Sequence, residues 1–390
     1  MTTDKPSSKH GEHSPPVFDI IITESSQPIS YTIVESRNQI GGIWDLFKYP
    51  GVRSNTDLFT LGFVWNPWNR DKTLASGPEI KEYMLESAAK FGIEKHIRFG
   101  HRVVSANWSS QHNVWELDIQ TGAGQETLHA RFLTLGTGYY DYDEPLQAHI
   151  PGINNFKGAV IHSQFWPRIS TTLRKTSCML LCFDAFRLTS ARFHGTMASP
   201  SWRCLLPSRI TGRVARFRHM MFELSVLLFC IFFPRYARSA IRAETEKLLL
   251  SSVPFDPHFN PRYNPWTQRF CGSPDGDLFT SIRSGKASVV TDTIKEVTGG
   301  AIQLSSGGSL WLDIIITVTG LKLRMAGGIR LSVDSADVNL SKKFLWKGFM
   351  VQDLPNLAIV IGYDNAAWTL GAEVTGIAIM RILRLRWTFG

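Results

Sequence analysis

Continuous apolar runs of strand length place the strongest constraint on how this 390-residue chain can fold. They are Val17–Thr23, Tyr31–Arg37, Arg131–Gly136, Leu312–Thr319 and Leu357–Ile361. Strands that are apolar on both faces are typical of a parallel sheet covered by helices, whereas a sheet with one face in water alternates apolar and polar residues. The chain is therefore predicted to be α/β.

Other segments have the spacing of helices and hairpins. Pro78–Phe91 carries its apolar residues on one helical face, and Thr369–Leu385 predicts a closing helix. His101–Trp108 and Val114–Gln120 flank a polar turn and predict a hairpin. A second hairpin is predicted within Ala301–Gly320, ahead of the apolar run there.

The formal charge of +9 is concentrated in one segment. Between Arg168 and Arg218 there are ten Lys or Arg residues and a single acid, Asp184, so this window holds the whole excess. The window also has no steady period of a helix or a strand, and it contains three of the five cysteines. We predict regular structure again from Phe222 onwards, and poor packing before it.

Cysteine spacing and the N-terminus bear on the compartment. The five cysteines form no CxxC pair and no zinc spacing, which favours a reduced cytoplasmic protein without a metal site. Met1–Pro16 is polar and has no apolar core of a signal peptide, so it predicts a disordered tail. Met220–Phe233 is apolar but far shorter than a membrane span, which predicts a buried or interfacial helix with at most peripheral membrane contact.

The second apolar run ends in an acid that is followed by a glycine pair. In a dinucleotide-binding fold, an acid in the position of Glu35 accepts hydrogen bonds from ribose hydroxyls. Gly41 and Gly42 would let the backbone approach a ligand closely, because a Cβ atom would collide with it. For Glu35 alone, a solvated surface acid is the competing interpretation. The unusual run Tyr49–Gly62 that follows favours the nucleotide site.

The run from Glu35 to Gly62 resembles the FAD domain of class B flavin-dependent monooxygenases, in particular their Baeyer–Villiger branch. The diagnostic fingerprint of that family is FxGxxxHxxxW followed by Pro or Asp. The chain contains it intact, as Phe156, Gly158, His162, Trp166 and Pro167. The resemblance continues from His258 and covers about 17–167 and 255–385. A satisfied buried histidine is the competing interpretation of His162.

The resemblance implies an enzyme that uses FAD, NADPH and O₂ to convert a ketone into an ester or lactone. It places Arg269 as the catalytic arginine, whose permanent charge stabilises the flavin peroxide and the transition state. A surface arginine in a loop is the alternative for this residue. The residues expected to line FAD are Glu35, Ile43, Trp44, Asp45, Leu46, Asn55 and Val103. Those expected to reach NADP are Arg53, Ser54 and Asn55. At the position of Asn55 the family prefers Asp.

Two domains follow from this resemblance. A three-layer, Rossmann-like FAD-binding domain is expected from 17–167 and 300–390, and a degraded NADPH-binding or helical domain from 168–299. Within the second, 168–218 is expected to be aberrant. Glu35, Trp44, Val103 and Gly138 are expected around one end of a common sheet.

Both glycine-rich nucleotide loops of the family are absent from the sequence. No glycine occurs between Gly11 and Gly41, and none between Gly158 and Gly195. Glu24–Ser30 has seven residues, too few for a crossover helix, so the first two strands are expected either parallel in extended form or as a hairpin. A shifted reading frame or retained intron would explain the window from 168 to 218. The family pattern also predicts further sequence after Gly390.

Three functions remain open from the sequence. The first is the Baeyer–Villiger-type monooxygenase acting on a carbonyl metabolite. The second is a catalytically inactive remnant that serves as a binding or scaffold protein. The third is a nucleic-acid or membrane-surface binder acting through the basic window, although the rest of the chain is neutral and predicts no nucleic-acid partner. The sequence does not fix the oligomeric state.

Overall fold

The computed structural model describes residues 17–19, 30–167, 178–181, 188–189, 208–267, 271–272, 276–363 and 366–389. The helices are α1 (Ile43–Leu46), α2 (Leu58–Leu61), α3 (Gly77–Lys90), α4 (Ser208–Phe232), α5 (Pro234–Glu246), α6 (Asp277–Arg283) and α7 (Trp368–Phe389). The strands in the first half are β1 (Val17–Asp19), β2 (Ile33–Glu35), β3 (Ile97–Phe99), β4 (Arg102–Ser109), β5 (Val114–Thr121), β6 (Gly124–Leu135), β7 (Ala159–His162), β8 (Cys178–Leu181) and β9 (Leu188–Thr189). Those in the second half are β10 (Cys271–Gly272), β11 (Ile294–Val297), β12 (Ala301–Leu304), β13 (Ser309–Trp311), β14 (Ile314–Thr317), β15 (Arg330–Val333), β16 (Ala336–Asp337), β17 (Leu345–Trp346), β18 (Met350–Val351) and β19 (Leu357–Ile359).

The largest sheet is built around the long strand β6. Its strand order is β16-β15-β4-β5-β6-β19-β18-β17, and β1 also pairs with β6. The first part of β6 is antiparallel to β5, so the predicted hairpin of β4 and β5 continues into β6 as a meander. The last part of β6 pairs in parallel with β19 and with β1. Parallel and antiparallel strands thus share one sheet, and the predicted α/β class is confirmed.

The core of this sheet comes from its inward-facing apolar residues. Trp115 is fully buried, its indole N–H donates to the carbonyl oxygen of Pro355 at 2.9 Å, and its ring meets Trp108 edge to face. A buried aromatic side chain needs such a partner for its polar atom. Leu117 and Ile119 alternate with exposed residues along β5, as expected for a strand with one face in the core.

Helix α3 forms where its spacing predicts it, and its ends are capped. The Ser76 hydroxyl accepts from the backbone of Glu79, and the Glu79 carboxylate accepts from the backbone of Ser76, which makes a capping box. Hydrogen bonds from Lys72 and from Ser76 lower the pKa of Glu79 to about 2. Gly92, with φ of +64°, ends the helix in the left-handed region.

The second sheet consists of three parallel strands in the order β7-β14-β8. All four residues of β14 are buried, as the continuous apolar run predicts. The antiparallel strands β11, β12 and β13 pack beside it, and Phe156, Ile302 and Ile315 lie in the core between them. This sheet takes strands from all three of the predicted domain ranges. The divisions at residues 167 and 300 therefore stay a prediction.

Two expectations differ from the structure, and a third falls mostly on residues that the structure does not describe. Helix α4 begins at Ser208, not at Phe222, because the residues that pack inward there include Gly212 and Arg216, which hide the apolar period. The first two strands pair with different partners, β1 with β6 and β2 with β3, both in parallel, so neither of the two expected arrangements is seen among the described strands. Most of the basic window, 168–177, 182–187 and 190–207, lies outside the described residues.

Candidate nucleotide-binding and oxygenase site

The end of β2 places Glu35 beside the start of β4. The backbone N–H of His101 donates to the carbonyl oxygen of Glu35 at 3.0 Å, which brings Val103, two residues later, next to this strand end. One carboxylate oxygen of Glu35 accepts from the backbone N–H of Arg37 at 2.8 Å. The side chain of Glu35 is half-buried. A half-buried acid held at a strand end by its own backbone is suited to receive two ribose hydroxyls.

The glycine pair before α1 lies against the same place. Gly41 has φ of +137°, and a Cβ atom there would lie 3.0 Å from the Cβ of Asp45, so only glycine fits without strain. A Cβ atom on Gly42 would lie 3.5 Å from the hydroxyl of Tyr142. Burial raises the pKa of Tyr142, and the negative charge of Glu35 raises it further. Glu35, Gly42 and Tyr142 therefore form one cluster.

Asp45 takes part in ion pairs within the protein. Its side chain is 4% exposed and bonds to the Arg37 guanidinium and, at 2.6 Å, to the Lys81 ammonium. Burial acts to raise the pKa of Asp45, but hydrogen bonds from Lys81 and Arg37 outweigh it, and the pKa lies below its ordinary value. The carboxylate thus ties α1 to α3, and only the backbone around it remains for a nucleotide.

The remaining expected FAD residues of α1 have packing roles. Trp44 packs against a buried cluster that includes Leu58, Phe59 and Trp68. Ile43 and Leu46 are half-buried on the other sides of this single-turn helix.

The expected NADP residues have different environments. Arg53 donates to the carboxylate of Asp277 at 2.7 Å, which connects this loop to α6. Ser54 is buried, and its hydroxyl donates to the carbonyl oxygen of Thr56 at 2.7 Å. Asn55 is exposed, so of the three it alone presents its side chain openly to solvent. Ser54 serves the turn that leads into α2.

Gly136-Thr137-Gly138 directly follows β6 and leaves room for a ligand. A Cβ atom built on Gly136 or on Gly138 meets no atom within 4 Å, and Gly138 has φ of +67°. Open space beside backbone at the carboxyl end of a parallel strand is where α/β folds bind ligands. Together with Glu35 and Gly42, these glycines fit the close approach that a dinucleotide needs. Residues 20–29, where the family's pyrophosphate loop would fall, lie outside the described residues.

The expectation that Glu35, Trp44, Val103 and Gly138 surround one end of a common sheet holds only in part. Glu35 and Val103 are joined through the backbone of His101, and α1 with Trp44 lies beside them through Gly42 and Tyr142. Gly138 follows β6 and precedes Tyr142 by four residues. By strand pairing, however, β2 and β3 form their own two-stranded sheet, separate from the sheet of β6.

The fingerprint residues pack along the second sheet. Phe156 packs in the core of the second sheet, and Trp166 packs against Ile161, Ile314 and Ile316. His162 ends β7 opposite Thr317, and its Nδ1 accepts from the backbone N–H of Gln164 at 3.2 Å. Burial lowers the pKa of His162, with the backbone of Gly320 acting in the opposite direction. Pro167 is exposed and is the last described residue before the gap.

Two buried side chains that the sequence analysis did not select lie beside the fingerprint residues. Gln164 is 2% exposed, and its amide N–H donates to the carbonyl oxygen of Asp141 at 2.7 Å. The carboxylate of Asp141 accepts from the backbone of Asp143 and lies 3.4 Å from Arg324. The position of Gln164 inside the fingerprint was the available signal, whereas Asp141 carried none beyond following Gly138.

Gly158 is the fingerprint residue with the clearest steric requirement. A Cβ atom there would lie 2.2 Å from the carbonyl oxygen of Asp313 and 2.6 Å from the Phe156 ring. We expect Gly158→Ala to lower the free energy of unfolding by about 2 kcal/mol or more, because the backbone of Asp313, directly before β14, must move. Urea unfolding monitored by tryptophan fluorescence measures this change.

Gly122→Ala is the matched control, since a Cβ atom there meets nothing within 4 Å. Its free energy of unfolding should change by less than about 0.5 kcal/mol. Equal stabilities of the two variants would show that the fold accommodates a side chain at position 158.

The expected catalytic residue Arg269 lies outside the described residues, as do its neighbours Gln268 and Phe270. Described backbone resumes at β10, which pairs in parallel with β9. Within the part of the chain that the structure describes, no group of three His, Cys, Asp or Glu residues is arranged to hold a metal ion.

Curated relatives match nearly the whole chain. A Mycolicibacterium smegmatis protein described as FAD-containing monooxygenase EthA is 39% identical over 376 residues, covering 91% of this chain and 76% of the relative. The Mycobacterium tuberculosis protein of the same description is 37% identical over 377 residues, covering 91% and 77%. A probable FAD-binding monooxygenase AlmA from Acinetobacter sp is 37% identical over 376 residues, covering 90% and 76%. No family model matches the chain.

Solved structures share the fold. An oxidised steroid monooxygenase bound to NADP superposes with a TM-score of 0.71 at 17% identity, covering 92% of this chain and 81% of that one. The open structure of cyclohexanone monooxygenase gives a TM-score of 0.69 at 18% identity, covering 90% and 82%.

Proposed function

The chain belongs to the FAD-containing monooxygenases, and from this premise we propose that it catalyses the FAD- and NADPH-dependent Baeyer–Villiger oxygenation of a ketone. The net reaction converts ketone, O₂, NADPH and a proton into ester or lactone, NADP⁺ and water. The observation that carries this proposal is the intact fingerprint along the second sheet, in a chain 39% identical to a monooxygenase relative. The carbonyl substrate is the part of the proposal that goes beyond the family.

The residues of the Glu35 cluster would hold the nucleotide. Glu35 and the backbone beside Val103 are placed for the adenosine half, and Gly42 and Gly138 allow backbone to approach closely. When bound, FAD supplies the transfer of electrons from NADPH to O₂. Asn55 offers a neutral amide where the family prefers a carboxylate, so the negative charge near the reacting centre is lower than in the family pattern.

Arg269 is proposed to supply the fixed positive charge of the site. A guanidinium remains charged at any working pH and stabilises negative charge that develops on oxygen during the reaction. Arg53, beside the exposed Asn55, is proposed to contact NADPH from the loop that its ion pair with Asp277 connects to α6. The range 168–299 is proposed as the NADPH-binding or helical domain, and 17–167 with 300–390 as the FAD-binding domain. The cysteine spacing supports the cytoplasm as the location.

The reaction is tested with purified protein, saturating FAD, NADPH and a panel of cyclic and linear ketones under ¹⁸O₂. We expect ketone-dependent NADPH consumption and an ester carrying one ¹⁸O atom for each NADPH oxidised. Mass spectrometry of the product measures the incorporation directly. A sulfide tested in parallel separates ketone oxygenation from heteroatom oxygenation.

Three results would overturn the proposal. Formation of a sulfoxide without any ester would assign heteroatom oxygenation and remove the Baeyer–Villiger step. Absence of both products at saturating FAD would identify the chain as an inactive member that retains the fold. A chain that consumes NADPH without product, releasing hydrogen peroxide, would likewise contradict a coupled oxygenase.

A further inference from the structure

Helices α4 and α5 expose an apolar surface that the proposed reaction does not use. We call it the α4–α5 face, and it consists of Val214, Phe217, Met221, Leu224, Leu228, Ile231, Phe232, Phe233 and Tyr236. These side chains are between 39% and 72% exposed. The first six are spaced by three and four residues in alternation, which puts them on one side of α4. Such a continuous exposed apolar surface indicates a binding surface.

The opposite side of α4 is fixed to the rest of the fold. Arg216 donates to the carbonyl oxygen of Gly62 at 2.6 Å and to the carboxylate of Glu373 at 2.5 Å. His219 is 3% exposed, lies 3.7 Å from the carboxylate of Asp57 and stacks on Phe59. These contacts set the rotation of α4, so its apolar side must point outward.

An aromatic corner lies where the two helices meet. α5 starts at Pro234, and its axis is bent by 114° from that of α4. Phe233 at this corner lies with its ring 5.9 Å from Phe229 and 6.5 Å from Tyr236. Among the described helices, none is long and apolar enough alone to cross a membrane, and only this bent pair passes such a test when its two parts are taken together.

Charge determines what kind of partner fits this face. Residues 212–243 contain six arginines and one carboxylate, Glu223, and of these arginines Arg216 pairs with Glu373 and Arg242 with Glu246. Arg213 is exposed near one end of the face, and Arg235 is exposed at the corner. An amphipathic helix with apolar and aromatic residues on one side and arginines beside them is typical of binding in the interfacial layer of a membrane. The arginines would meet lipid phosphates while the aromatic side chains enter below them.

We propose that the α4–α5 face binds the surface of an anionic lipid bilayer, with the aromatic corner inserted among the lipid headgroups. The helices lie along the surface and do not span it, because Glu223 and the arginines interrupt the apolar sequence. Attachment through this face would keep the protein at a membrane and does not depend on the oxygenation reaction.

Binding of the full chain is measured by co-sedimentation with vesicles of phosphatidylcholine alone or with added phosphatidylglycerol. We expect binding to the anionic vesicles that weakens with salt, and little binding to the neutral ones. The double variant Phe232→Gln, Phe233→Gln is expected to bind anionic vesicles at least about tenfold more weakly, because it removes two inserted rings. Arg213→Gln with Arg235→Gln should weaken binding and flatten the salt dependence.

The matched control replaces exposed aromatic residues elsewhere, Phe344→Gln with Trp346→Gln, which are 81% and 57% exposed. This control should bind the vesicles as the parent does, and circular dichroism should show the same helix content in all variants. Equal binding by the parent and the Phe232 and Phe233 variant would overturn the proposal. The proposal would also fail if the parent did not bind vesicles and the Phe232 and Phe233 variant had a different oligomeric state from the parent without lipid. That result would assign the face to a second copy of the chain.

Discussion

Purified from cells without added flavin, the protein is expected to be colourless and to bind FAD about a thousandfold more weakly than a variant with a restored glycine loop. The chain has no glycine between Gly11 and Gly41 to let backbone N–H groups reach the pyrophosphate. A hydrogen bond to a charged group contributes about 1.5–3 kcal/mol, so losing three costs at least about 4.5 kcal/mol. Titration followed by flavin fluorescence measures the two dissociation constants.

The restored variant carries a GxGxxG loop and a helix inserted after Thr23. Its control has an insertion of the same length in which alanine replaces each glycine, so that added chain length is separated from phosphate binding. In the restored variant, Glu35→Gln should weaken FAD binding again, because the ribose hydroxyls lose a charged acceptor. Tightly held, stoichiometric FAD in the unmodified chain would refute the loop requirement.

Replacement of Arg269 is expected to lower the oxygenation rate by about a hundredfold to a thousandfold at saturating FAD and NADPH. Loss of a fixed group that stabilises negative charge in the transition state has an effect of this size. Arg269→Ala should leave the dissociation constant of FAD unchanged, since the residue is assigned to the reaction. Single-turnover product formation, measured beside flavin binding, separates the two effects.

Arg269→Lys serves as the conservative variant, because lysine keeps the charge but not the planar guanidinium. It should recover only part of the rate. Arg330→Ala is the remote control, since Arg330 is 73% exposed and lies 4.0 Å from Asp337 on the edge of the main sheet. Normal oxygenation by Arg269→Ala would return this residue to a surface role.

Local patterns predicted the individual elements well where one period dominates. The alternation in β4 and β5, the helical spacing of α3 and the continuous apolar run of β14 are all seen in the structure. The start of α4 was missed because its inward side is built from Gly212, Arg216 and His219, which no hydrophobic period can represent. From the sequence alone, a buried arginine is predicted to be a surface residue, because its hydrogen-bond acceptors are not known.

Strand partners were harder to predict than strands. β1 pairs with β6 and not with β2, and β7 pairs with β14 across about half the chain. Such pairings depend on which edges remain open after the long strand β6 has joined β5 and β19. Sequence separation carries no information about that competition, and a short connection does not ensure that neighbouring strands meet.

The candidate site shows the same division between local and distant information. The sequence alone determined the family, because the fingerprint and the run after Glu35 are contiguous motifs. Their residues can be recognised without knowing which distant segments they contact. Only the tertiary structure decided that Asp45 is neutralised by Arg37 and Lys81, and that one side of α4 faces outward. The availability of a charge or an apolar surface depends on neighbours from distant segments, since burial and pairing arise only when the whole chain has packed.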